Sequence, residues 1–238
     1  MRLAVMQPYF FPYVGYFSLM KAVDRWVVFD TPQHIRRGWV TRNRVLKNGG
    51  DGWKYIHLQT VKCPLETAIN EVLIDSSSDW RGALLRNLDY YSSRKAPYYT
   101  ETVELICKTM DCRSENLSEF LTNMLVLIRD YLEMSVVIDR FSRMDLCFEQ
   151  PTHPAEWALK ISEALGAEIY VNSIGGKDIF DKELYLESGV DLFFLKSNAP
   201  KYYQNRQNFV ENLSIIDVLM WNSRQKVKEV LDCYELVR

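Results

Sequence analysis

Within its first thirty residues the chain writes a strand, a rigid aromatic turn, a helix and a second strand. Leu3–Met6 is a short apolar run of buried-strand length. Gln7-Pro8 ends it, because proline cannot donate to a central ladder. Five aromatics, two prolines and one glycine fill the turn from Pro8 to Tyr16. The spacing of Phe17, Met20 and Val23 then predicts a helix as far as Asp24. Trp26–Phe29 reads as the second strand, ending at Asp30. Parallel strands joined through a helix make a right-handed crossover, and repetition of that unit leads to layered α/β architecture. The loop after the first strand of such a sheet lies where ligands usually bind. Gln7, Tyr9, Tyr13, Gly15 and Tyr16 are therefore candidate substrate-binding residues, set against the plainer reading of a loop that caps the core.

The next segment carries the charge. Thr31–Lys47 contains Gln33, His34, Arg36, Arg37, Trp39, Arg42, Asn43, Arg44 and Lys47 in a chain whose net charge is -2. That overall balance gives no general case for nucleic acid or membranes as partners, so the excess is local. Arginine forks match the oxygens of phosphates and carboxylates. Gln33, Trp39, Arg42, Asn43 and Arg44 are expected to hold a small-molecule substrate carrying an anionic group, against the alternative of a solvated basic loop. Asp30 and His34 are the candidate general bases, and imidazole has the more suitable unperturbed pKa.

The remaining letters alternate between strand and helix patterns. Asn48–Gly52 reads as a turn, and Trp53–Thr60 with Ile69–Ile74 as an antiparallel pair at the sheet edge. Ser76–Asp79 supplies a cap for a helix over Trp80–Tyr91, and helices over Tyr98–Thr109 and Leu117–Leu132 follow. Residues 79–133 thus read as a helical insertion or subdomain. Ser135–Ile138 is a strand, Pro154–Leu165 a helix, and Glu168–Val171 another strand. Asn172, Gly175, Gly176 and Lys177 come directly after it. Two glycines let a backbone approach an anion that the lysine neutralises. The pattern is not the Walker P-loop, and a plain strand-to-helix turn is the competing reading. A helix over Phe180–Ser188, a last strand over Asp191–Leu195, and the polar-aromatic segment Tyr202–Phe209 with Gln204 complete the series. Ser214 caps the final helical region. The whole predicts a single α/β domain over 1–238, with an open, mostly parallel Rossmann-like sheet and one helical insertion.

The five cysteines are scattered without C-x-x-C spacing, and three histidines form no cluster with them. Neither a disulfide framework nor a dedicated metal site is expected. No signal peptide and no run of membrane-spanning length is evident, so the cytoplasm is the expected compartment.

Met6–Phe17, M-Q-P-Y-F-F-P-Y-V-G-Y-F, resembles the opening signature of the WbqC-like protein family. The resemblance continues through Asp30 and Gln33, Arg42-Asn43-Arg44, Ala96-Pro97-Tyr98, Tyr170, Gly175–Asp178, Tyr203-Gln204 and Leu213–Asp217. One departure is Asn172-Ser173-Ile174, where the family pattern has a small residue, glycine and proline. The resemblance implies a role in O-antigen (lipopolysaccharide) or other surface-polysaccharide biosynthesis, or in specialised metabolism. The reaction it suggests is acyl or aminoacyl transfer to an amino sugar or small amine. In that picture Arg42, Arg44 and Lys177 bind a nucleotide or nucleotide-linked sugar, while Gln7, Tyr13, Tyr16 and Asn43 orient the acceptor.

A weaker likeness is to the HIGH-type nucleotidyltransferase superfamily, through its pantothenate synthetase-like N-terminal unit. Tyr13-Val14-Gly15-Tyr16 stands in the place of H-x-G-H, with tyrosines for both histidines. It implies a HUP-like fold and, as an alternative, a nucleotide-dependent ligase or nucleotidyltransferase. A ligand-binding protein without catalysis is the third reading.

Overall fold

The apolar runs at the two ends of the chain come together as one twisted sheet in the computed structural model, which describes residues 1–50, 52–151 and 153–238. In chain order the elements are β1 (Arg2–Met6), α1 (Val14–Lys21), β2 (Arg25–Val28), β3 (Arg42–Leu46) and β4 (Trp53–His57). They continue with α2 (Trp80–Arg86), α3 (Asp89–Ser93), α4 (Tyr99–Met110), α5 (Leu117–Tyr131) and β5 (Val137–Arg140). Then come α6 (Glu156–Ala164), β6 (Ile169–Ser173), α7 (Lys182–Glu187), β7 (Asp191–Ser197), α8 (Ile215–Trp221), α9 (Arg224–Leu231) and β8 (Tyr234–Val237). The main sheet has the order β5-β2-β1-β6-β7-β8. Its strands are parallel except β8, which runs antiparallel to β7. The fold is thus α/β, with a mixed, mostly parallel sheet and interspersed helices.

Strand alternation divides the core. Leu3 and Val5 point to the face covered by α6 and α7, with Tyr170 and Phe194. Ala4, Trp26 and Val28 point to the other face, covered by α1, α4, α5, α8 and α9. The order of strands reverses at β1, whose neighbours are β2 on one side and β6 on the other. That makes the gap beyond the carboxyl ends of β1 and β6 the switch point where open sheets leave a crevice.

Several boundaries differ from the sequence expectation, for identifiable reasons. Trp53–His57 pairs with Arg42–Leu46 as a separate two-stranded sheet, not with Ile69–Ile74. Asn43 and Val45 face inward while Arg42 and Arg44 face outward, so β3 alternates with an amide at a core position and hides its period. Ile69–Glu71 is a single 3-10 turn, and Thr60 and Ile74 form only an isolated bridge. The helix expected over Trp80–Tyr91 breaks between Arg86 and Asp89. Asn172 and Ser173 belong to β6 itself, and β8 adds a strand that the letters did not suggest. Of the turn Asn48–Gly52, Asp51 lies outside the described residues. Among the described residues no helix is long and apolar enough to cross a membrane, and all five cysteines are free thiols.

Candidate functional site

The aromatic loop between β1 and α1 is held from both sides. Asn43 Nδ2 donates to the carbonyl oxygens of Phe10 at 3.1 Å and Phe11 at 2.9 Å, and its Oδ1 accepts from the Arg44 amide at 2.8 Å. Ser214 Oγ donates to Phe11 O at 2.8 Å, and the Ile215 amide donates to Pro12 O at 2.7 Å. These bonds keep Phe11 in a left-handed conformation, φ 42°, which costs a bulky residue free energy unless its surroundings enforce it. Phe10, Phe11, Tyr16 and Phe17 are sealed in the core. Tyr16 OH donates to Gln7 O at 2.9 Å, and burial pushes its phenol well up. Tyr16 and Asn43 therefore build the loop, while Tyr9 and Tyr13 stay at its surface. Gly15, at the start of α1, lets the Tyr13 ring lie against the backbone; a Cβ there would come within 2.6 Å of that ring and displace it.

The β3–β4 hairpin lies beside this loop. Its register sets Arg42 opposite His57, Arg44 opposite Tyr55 and Leu46 opposite Trp53, all on one face. The Arg42 guanidinium lies 4.3 Å from the Tyr55 ring centre and 5.9 Å from that of Trp39. Arg44 lies 5.0 Å from Trp53 and 5.6 Å from Trp39. Stacking of this kind holds a cation against an apolar surface. Arg44 Nη2 donates to Asn212 O at 2.9 Å, and among the described residues neither arginine has an ion pair. Tyr9, Tyr13, Trp39, Asn43, Arg44 and Asn212 enclose a hollow of about 340 Å³. Tyr13 and Asn212 also border an adjoining hollow of about 290 Å³, with Gly15, Lys201 and Tyr202. Burial, and then Tyr13, push the Tyr9 phenol up, so it remains a hydrogen-bond donor.

Gln7 and Asn172 meet elsewhere, in a crevice of about 480 Å³ at the switch point, with Thr31, Phe29, Trp157 and Tyr170. Asn172 Nδ2 donates to Tyr170 OH at 2.6 Å. Gly175 and Gly176 lie in the 3-10 segment Ile174–Ile179. Lys177 Nζ donates to Arg238 O at 3.1 Å and lines none of these hollows. The candidate binding residues of the three segments are thus divided between hollows. Gln7 and Asn172 face the α6 side of the sheet; Tyr9, Tyr13, Trp39 and Arg44 gather on the other.

Four further candidates have other surroundings. Asp30 is fully buried, and its carboxylate accepts from Ser118 Oγ at 2.5 Å, Ser142 Oγ at 2.6 Å and the Ser142 amide at 2.9 Å. It ties the end of β2 to α5 and to the segment after β5. Gln33 Nε2 donates to Leu65 O at 2.7 Å. His34 is only 6% exposed, and neither ring nitrogen has a partner among the described residues. Burial, and then Arg36, lower its pKa, so the ring is neutral at neutral pH. It borders a separate basic hollow with Arg36, Arg37 and His57. Gln204, 3% exposed, donates through Nε2 to the Asp217 carboxylate at 2.9 Å and accepts at Oε1 from the Val210 amide at 2.9 Å.

Asp217, His57, Tyr55 and Asn212 are polar residues of these sites that the sequence reading missed. Asp217 is fully buried and accepts from Tyr91 OH at 2.7 Å, from Tyr202 OH and from Gln204. Desolvation outweighs these donors and pushes its carboxyl up to about 6. Its signal was an acid set between Ile216 and Val218 on an apolar helix. Tyr55 and His57 alternate with Trp53 along one strand face, a pattern that gains meaning only once Arg42 and Arg44 are placed opposite. Among the described residues no three His, Cys, Asp or Glu side chains gather to hold a metal ion.

Comparison with known proteins agrees with the opening motif. No solved structure matches the chain. It is 26% identical over 220 residues, 92% of each chain, to the uncharacterized protein Rv1507c of Mycobacterium tuberculosis. The model of the WbqC-like protein family matches residues 7–229. With that pattern running from the aromatic loop into α9, the protein belongs to the WbqC-like protein family.

Proposed function

We propose that the protein is a transferase of surface-polysaccharide or specialised-metabolite assembly, working in the cytoplasm on a substrate with an anionic group. The observation that carries this reading is the pair Arg42 and Arg44, stacked on Trp39, Trp53 and Tyr55 with no carboxylate paired to them among the described residues. A guanidinium held this way is pre-ordered, and an incoming phosphate or carboxylate takes two parallel hydrogen bonds from it. Trp39, 40% exposed, offers a flat face to a sugar or nucleobase. Tyr9 and Tyr13 offer phenols beside it. A nucleotide-linked sugar satisfies all of these groups. The strand order, reversing at β1, favours the Rossmann-like description.

The reaction this reading assigns is amide formation. The acceptor amine attacks the acyl carbonyl carbon, the new C–N bond forms, the bond from that carbon to its leaving group breaks with its electron pair staying on the leaving group, and the proton lost by the amine nitrogen passes to that leaving group. The switch-point crevice, with Phe29, Trp157 and Phe180 around Gln7 and Asn172, suits an uncharged acyl portion. Asp30, its carboxylate engaged by two serines, is assigned to holding the loop and not to proton transfer.

Incubation with nucleotide-linked amino sugars and a panel of acyl donors, read by mass spectrometry, is expected to give acylated sugar. Arg44→Ala is expected to weaken sugar-nucleotide binding about tenfold, the value of one charge-assisted hydrogen bond. Pyrophosphate release from ATP or CTP would overturn the reading in favour of nucleotidyl transfer. Tight binding of every donor and acceptor without turnover would favour a non-catalytic binding protein.

A further inference from the structure

The basic hollow beside the arginine stack has a construction of its own. Ile35–Gly38 is a β-turn closed by the Gly38 amide donating to Ile35 O at 3.0 Å. Arg37 occupies its third position with φ 57°, the left-handed region that glycine or asparagine ordinarily fills there. Strained backbone under a functional side chain is a recurrent feature of binding sites. Arg36 is fixed by Nη2 donating to Cys63 O at 2.6 Å. Arg37 has no hydrogen bond or ion pair among the described residues. His34 borders the hollow with both ring nitrogens unpartnered although it is buried. Buried polar atoms are nearly always satisfied, so such an orphan points to a missing partner. His57, Thr41 and the segment Leu58–Thr60 complete the wall, no acid lines it among the described residues, and the space is about 300 Å³.

We infer that the hollow of His34, Arg36, Arg37, Thr41 and His57 is a phosphoryl-binding site, separate from the Tyr9–Arg44 hollow. The donors arrive from three directions: the 35–38 turn, the end of β4, and the residue before β3. Together they outnumber what the two oxygens of a carboxylate accept, and suit the three or more oxygens of a phosphoryl group. Arg37 supplies a fork, His34 an N–H from beneath, and Thr41 a hydroxyl. Arg42 stands between the two hollows, stacked on Tyr55, whose ring centre is 5.6 Å from that of His57. The charged groups facing the imidazoles are Arg36 at His34, and Arg37 and Arg42 at His57. A bound phosphoryl group offsets these cations and favours imidazolium.

Calorimetric titration of inorganic phosphate into the full chain tests this inference. One phosphate is expected to bind per chain. Arg37→Gly is expected to weaken binding about tenfold while the thermal midpoint stays the same or rises, because glycine relaxes the turn. His57→Gln, at an exposed position, should weaken binding less than Arg37→Gly. UDP or ADP that binds more tightly than phosphate, with the same loss in Arg37→Gly, identifies the phosphoryl group as part of a nucleotide; equal affinities identify free phosphate. Arg44→Ala is expected to leave phosphate affinity unchanged. Phosphate binding lost in Arg44→Ala but kept in Arg37→Gly would overturn this inference and leave the proposed function standing. Absence of binding at millimolar phosphate, or an unchanged affinity in Arg37→Gly, would also overturn it.

Discussion

Asp217 gives the protein a pH dependence that can be worked out in advance. Its carboxyl titrates at about 6 in the folded chain against 3.8 for the unperturbed group, because burial outweighs the hydrogen bonds from Tyr202, Tyr91 and Gln204. Between those two values the folded state binds a proton that the unfolded chain has released. Stability from this group is therefore complete below the unfolded value and declines as pH rises through about 6. A displacement of roughly two pKa units at about 1.4 kcal/mol each makes the whole decline about 3 kcal/mol. About half of it falls above pH ~5, inside the range where most domains can be measured. The perturbation is Asp217→Asn, which keeps the shape and removes the titration. Urea unfolding of both proteins across pH gives two stability curves, and their difference cancels every other ionisable group. Wild-type stability should fall relative to the variant by about 1.5 kcal/mol from pH ~5 to pH ~7.5. Parallel curves, or a difference of the opposite sign, would refute the reasoning about desolvation.

Three further outcomes are expected. Asn43→Ala orphans Phe10 O and the Arg44 amide in a buried place, since Phe11 O keeps Ser214; at about 1–3 kcal/mol each, scanning calorimetry should show a thermal midpoint lower by about 5–15 °C. Asp30→Ala leaves Ser118, Ser142 and the Arg140 guanidinium, 3.9 Å away, without their acceptor; a loss of about 3 kcal/mol in urea unfolding is expected, with sugar-nucleotide affinity of the folded fraction unchanged. Arg37→Gly removes a left-handed arginine, and chemical denaturation should show a gain of about 1 kcal/mol, the reverse of what a stabilising arginine contact would give.

The unit β1–α1–β2 was legible because its signals are local: a four-residue apolar run, a proline stop and a helical period. β3 was not, because its inward positions include Asn43, which reads as a loop residue until its amide is seen clamping two carbonyls. The same limit applies to the site. Trp39, Arg42 and Arg44 stand out as charge and aromatic character, yet only the hairpin register shows that Tyr55 and His57 share their face. His34 was identifiable as a titratable group, but its company of Arg37 and His57 depends on a contact between a turn and a strand about twenty residues apart. Asp30, at the carboxyl end of β2, looked free. Its engagement comes from Ser118 and Ser142, about ninety and about a hundred and ten residues away, and nothing in the spacing of letters announces such partners.

The long segment between β2 and β5 also sets the order in which the sheet is completed. β2 and its outer neighbour β5 are separated by roughly a hundred residues of hairpin and helices, and closing so long a segment costs about 2 kcal/mol more chain entropy than a ten-residue crossover. During synthesis β2 therefore waits with a bare, apolar edge until that segment has been made and folded. Fragments that stop short of β5 will present that edge to one another, so truncations meant to isolate the amino-terminal half are poised to precipitate.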